Sequence, residues 1–67
     1  MPAGVKDLSP GCLVLIAAFD DTPAHKFLVD EIYGDCIAGT AQTGPFAGEY
    51  GEPDLSLVIQ VLQHAPS

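Results

Sequence analysis

The chain has no arginine, no tryptophan, one methionine and only two lysines among 67 residues. Without arginine or clustered lysine it cannot displace counterions from a phosphate backbone. That argues against direct binding of DNA or RNA and against docking on an anionic membrane surface. Charged residues make up 16% of the sequence, below the roughly 25% of ordinary globular chains. Cys12 and Cys36 are too few for a disulfide framework and read as reduced, small hydrophobes. The longest unbroken apolar run, Cys12 to Phe19, has eight residues, far short of the ~20 needed to span a bilayer as a helix. Met1 to Ser9 contains no apolar core of a signal peptide, so a cytoplasmic setting is expected.

What is present is aliphatic and acidic. Hydrophobic residues are 48% of the chain, and nine acids against two lysines leave a formal net charge of −7. Such a chain is not a disordered segment. It allows one domain with a thin core, and its apolar surplus points to an interface between copies of the chain, a dimer or a larger ring. The acidity serves solubility or attracts a basic protein partner.

A loose arm is expected at 1–7 and a tail at 64–67. Between them, Pro10-Gly11 punctuates the start of a strand at 12–19 that is apolar on both faces, hence central or at a subunit contact. Residues 23–33 carry two competing patterns. Thr22 as N-cap, Pro23 at the first helical position and Gly34 as a stop describe a helix, which would make the fold α+β. Phe, Val, Ile and Tyr in the same stretch describe a strand, forming a hairpin with 36–41 through Gly34-Asp35. Gly34 suits the first position of a type II′ turn. In that register Ile32 faces Ile37, Tyr33 faces Cys36, and a bulge near Asp30-Glu31 restores the alternation. The hairpin is the favoured reading. A further strand is expected at 55–63, with Leu55, Leu57, Ile59 and Val61 on one apolar face. The plan is all-β: a small barrel or roll of four to five antiparallel strands. The Pro-Gly entry to the first strand, followed by a tight hairpin, resembles SH3-like barrels in architecture over about residues 8–63. That resemblance carries no functional motif.

Known chemistry fails to appear. No glycine falls in a phosphate-loop spacing. Asp20 to Glu31 has the length of a calcium loop but puts His25 where a glycine is required. Cys12, Cys36, His25 and His64 lack the short paired spacing of a zinc site, and both histidines read as surface residues. Cys36 and His25 do not make a nucleophile pair, because the hairpin register takes His25 toward position 44. Adjacent acids, Asp20-Asp21 and Asp30-Glu31, point to opposite faces of a strand and suit no shared acid–base step. No catalytic residue, cofactor or metal is assigned.

One segment remains. Residues 44–54, GPFAGEYGEPD, pack three glycines, two prolines, two aromatics and three acids into eleven positions. As a long connector it would be a structureless crossover, with Phe46 plugging the barrel end and Tyr50 capping an edge. As a binding loop it would offer an aromatic pair rimmed by acids to a cationic or amide-rich ligand. The favoured function is a non-catalytic interaction module that self-associates through its apolar strands. It would bind a partner through the 44–54 and 20–24 loops, with Asp20, Asp21, Phe46, Glu49, Tyr50, Glu52 and Asp54 as contact residues. The alternatives are an acidic decoy that blocks a basic, nucleic-acid-binding surface, and a small enzyme whose site is assembled between subunits.

Overall fold

A computed structural model describes residues 8–64. The expected arm at 1–7 and residues 65–67 of the expected tail lie outside them. The described chain is all-β: strands β1 (Leu13–Ile16), β2 (His25–Ile32), β3 (Ile37–Ala41), β4 (Tyr50–Gly51) and β5 (Val58–Gln63), with one 3-10 turn at Leu55–Leu57. All five strands join a single antiparallel sheet in the order β4-β3-β2-β1-β5, an arrangement consistent with a small barrel or roll.

The strand entry is built as the Pro-Gly pair implies. The Cys12 N–H donates to Ser9 O at 3.1 Å, and Gly11 takes φ 96°, the positive value that a proline-led type II turn needs at its third residue. From there β1 alternates: Cys12, Val14 and Ile16 are fully buried while Leu13 and Leu15 are half-buried. It is an inner strand, paired with β2 on one edge and β5 on the other, with one apolar face in the core and the second only half-buried.

Residues 25–32 form a strand, not a helix. His25, Phe27 and Val29 are buried while Lys26 and Asp30 are exposed, a period of two that no helix would give. The hairpin register is as expected: Ile32 pairs with Ile37, and the Tyr33 N–H donates to Cys36 O at 2.8 Å. The ladder slips between Val29 and Glu31, leaving Asp30 as the extra residue. The turn differs from expectation, since Gly34 lacks the positive φ of a type II′ turn. The bulge near the turn already supplies added right-handed twist, so a primed turn is not required to match the strands.

Two further expectations are corrected. Residues 55–63 are not one strand. Asp54 caps a 3-10 turn by accepting the Ser56 N–H at 2.9 Å, and the strand starts only at Val58. The β1–β5 register shifts twice, so Val58 and Val61 pack on the core while Ile59 faces away from it, 52% exposed. Nor is 44–54 a structureless crossover. Thr40 pairs with Tyr50 and Gly39 with Gly51, and the alignment continues through Ile37 N–H to Pro53 O at 3.1 Å and a Cys36–Asp54 bridge. The fifth strand is therefore hidden inside the glycine- and proline-rich segment.

The core is Cys12, Val14, Ile16, Phe27, Val29, Ile37 and Ala41, with Leu55, Leu57, Val58 and Val61 packed against it. The 3-10 turn carries the chain from the β4 edge of the sheet to the β5 edge, and Ala17 N–H to Leu57 O at 2.7 Å anchors its end to β1.

Candidate functional site

The 42–49 loop is short and stitched at both ends. The Gln42 N–H donates to Lys26 O at 2.8 Å, and the Lys26 N–H donates to the Thr43 hydroxyl at 3.0 Å. The Gly48 N–H reaches Ala41 O at 2.7 Å, while the Ala41 N–H reaches Glu49 O at 3.1 Å. Two turns fill the space between, closed by Ala47 N–H to Gly44 O at 3.1 Å and Glu49 N–H to Phe46 O at 2.9 Å. Gly44 and Gly48 sit at φ 85° and 89°, where a side chain would be strained. A Cβ on Gly44 would also lie 3.2 Å from His25 Cβ. The expected proximity of His25 to position 44 is thus present, and it places His25 at the opposite end of the hairpin from Cys36.

This loop presents its aromatics to the outside. Phe46 is 47% exposed and Tyr50 is 63% exposed, so neither plugs the interior. Both line a cleft of about 500 Å³, within the ~300–1,000 Å³ range of small-ligand pockets. Buried Phe27 and His25 reach it from inside, Phe19 and Leu57 add apolar wall, and Glu49, Glu52 and Asp54 bring three carboxylates. Among the described residues no lysine or arginine lines it. Five of the seven residues expected to make contacts therefore share one cavity.

Asp20 and Asp21 do not line it. They form the tip of a tight turn in which Phe19 and Thr22 exchange both backbone bonds, at 3.0 and 2.7 Å. Asp20 sits at φ 49°, which aspartate tolerates better than most residues. The turn's contribution to the cleft is Phe19, whose ring stands 6.3 Å from that of His25.

Three ionisable groups at or near the cleft are shifted by their surroundings. The Tyr50 hydroxyl donates to Glu52 Oε2 at 3.2 Å. Partial desolvation, then that carboxylate, pushes the phenol of this mostly exposed residue above the ordinary value. Asp54 is held below the ordinary carboxylate range by the Ser56 N–H it accepts. Burial raises the Cys36 thiol, and the Asp35 and Glu52 charges add to the effect; a thiol kept protonated is a weak nucleophile. Expected as a surface residue, His25 is buried, with its Nδ1 2.9 Å from Pro23 O. Donation to that carbonyl leaves Nε2 as the acceptor in the neutral ring. Among the described residues no group of three His, Cys, Asp or Glu side chains is placed to hold a metal ion, and no helix is long and apolar enough to cross a membrane.

Besides the apolar wall of Phe27 and Leu57, sequence reasoning missed three participants. His25 and Phe19 were accessible to it through strand alternation and the 20–21 turn. The third is Tyr33, 46% exposed, whose hydroxyl donates to Glu31 Oε1. A second tyrosine–glutamate pair, at the end of β2, thus lies across β3 from the first, at β4. Only the pairing of β4 beside β3 brings these together. Comparison with protein-family models, with curated proteins and with solved structures returns no match for this chain.

Proposed function

We propose that the protein is a non-catalytic interaction module built on a small SH3-like barrel, and that the cleft beside residues 44–54 is its partner-binding surface. The observation that carries this reading is the outward placement of Phe46 and Tyr50 on a cleft edged by Glu49, Glu52 and Asp54. A pair of large exposed rings on a hydrogen-bonded loop gives contact area at low entropic cost, because the backbone is already ordered. Asp20 and Asp21 join as a secondary, peripheral contact on the neighbouring turn. The same module self-associates through the side of the sheet away from its core.

A photoactivatable phenylalanine at position 46, and separately at position 21, tests the surface in cells expressing the protein. Adducts are expected chiefly from position 46, with a clearly smaller yield from position 21. Equal yields at the two positions, or none at 46, would sink the reading.

A further inference from the structure

Resting on that reading, we propose that the cleft's partner is a basic protein segment and that an arginine side chain is what enters it. The lining combines both halves of what a guanidinium needs: aromatic rings at Phe46 and Tyr50, and carboxylates at Glu49, Glu52 and Asp54. A guanidinium stacks on an aromatic face and forks onto a carboxylate, whereas an ammonium is a compact, strongly hydrated point charge that does neither well. The apolar wall of Phe19, Phe27 and Leu57 suits the three-methylene stem behind such a head group. Among the described residues no lysine or arginine lines the cleft, so the lining as described sets three carboxylates against no cation.

The chemistry also continues past the cleft. Tyr33 and Glu31, at the end of β2, repeat the tyrosine–glutamate pairing that Tyr50 and Glu52 make at β4, with β3 between the two pairs. One pocket followed by a second aromatic–acid pair fits an extended chain with more than one basic residue better than a free amine.

The probe is a fluorescein-labelled peptide of alternating glycine and arginine, compared with lysine and citrulline analogues by fluorescence anisotropy. The arginine peptide is expected to bind and the citrulline peptide to show no binding. The lysine peptide should be about tenfold weaker, the scale of one lost stacked, bidentate contact. Two doubly substituted proteins remove equal charge: Glu49→Gln/Glu52→Gln should weaken binding about tenfold or more, and Asp20→Asn/Asp21→Asn less than about twofold. Circular dichroism and thermal midpoint confirm that both are folded. Tyr50→Ala, which removes an exposed ring, should also weaken the arginine peptide. Equal losses from the two doubles would mean diffuse attraction, as in an acidic decoy, and would overturn the proposal. So would lysine or citrulline peptides binding as well as arginine, or no binding at about 1 mM, the limit of even weak association. Cross-links from position 46 with no peptide binding would keep the interaction module and remove its cationic partner.

Discussion

The Tyr33 phenol donates to a carboxylate that cannot accept a second negative charge beside it without cost. That hydrogen bond to Glu31, followed by the Glu31 charge itself, pushes Tyr33 up to about 12. The shift fixes a sign. Folding favours the protonated phenol, so the stability it contributes is present in full below the ordinary tyrosine value and is lost as pH rises toward about 12. Tyr50 shifts in the same direction for a different leading cause, partial desolvation of its exposed ring, with the Glu52 hydrogen bond next. Because the chain has two tyrosines, tyrosinate absorbance in the folded protein should stay low at about pH 10, where an ordinary phenol is half ionised. Glu31→Gln should return Tyr33 toward that value while leaving Tyr50 raised. Half-ionisation of both tyrosines at pH 10 in the wild type would show that neither hydrogen bond forms in solution.

Gly39 decides how β2 and β3 fit together. It is buried opposite Val29, and a Cβ built there would lie 1.9 Å from Leu28 O and 3.0 Å from the Phe27 ring. The obstruction is backbone, so no rotamer change relieves it. The bulge at Asp30 lets β2 approach closely here, and Phe27 then fills the space beside Gly39 and Gly51 and reaches the cleft from beneath. Gly39→Ala should cost at least about 2 kcal/mol, measured by chemical denaturation, and should disturb the cleft because Phe27 must move. Gly34→Ala, with nothing within 4 Å of the added methyl, is the matched control and should change stability by less than about 1 kcal/mol. Equal effects at the two positions would contradict the close approach. Much of this hairpin was legible beforehand: its partners, its bulge and its turn residues are encoded within a few positions of one another. The turn type was not, since the bulge supplied the twist that a primed turn would otherwise provide.

A molecule with a net charge of −7 should resist meeting its own copies, yet one strand is exempt. β5, Val58–Gln63, contains no charge and no proline, and shows Ile59 and Leu62 on the side away from the core. Among the described residues it pairs with β1 alone, so its second edge offers backbone donors and acceptors that an identical antiparallel edge would satisfy about a two-fold axis. Half-buried Leu13 and Leu15 on β1 extend the apolar side. Light scattering at high micromolar concentration should give a dimer or larger species, and Ile59→Lys with Leu62→Lys should give a folded monomer. A wild-type monomer under the same conditions would remove self-association from the proposed function.

The sequence by itself favoured the all-β class and the hairpin with its bulge over a helix at 23–33, because strand alternation and turn chemistry act between near neighbours, and the buried–exposed alternation of β2 then excluded the helix. It also marked Phe46, Glu49, Tyr50, Glu52 and Asp54 as a group, through composition alone. Tertiary structure decided the rest. A two-residue strand such as β4 has too little periodicity to read. It exists because β3 is already in place, and its Gly51 accepts the closely packed Phe27 ring. The same long-range pairing broke 55–63 into a 3-10 turn and a bulged strand, turning Ile59 outward against its apparent alternation. It also brought buried His25 and Phe27 beneath a loop some twenty residues further along and left Asp20 and Asp21 at the edge. Where contact partners lie close along the chain, the pattern carried the answer. The cleft is made by partners that lie far apart, and only the folded sheet brings them together.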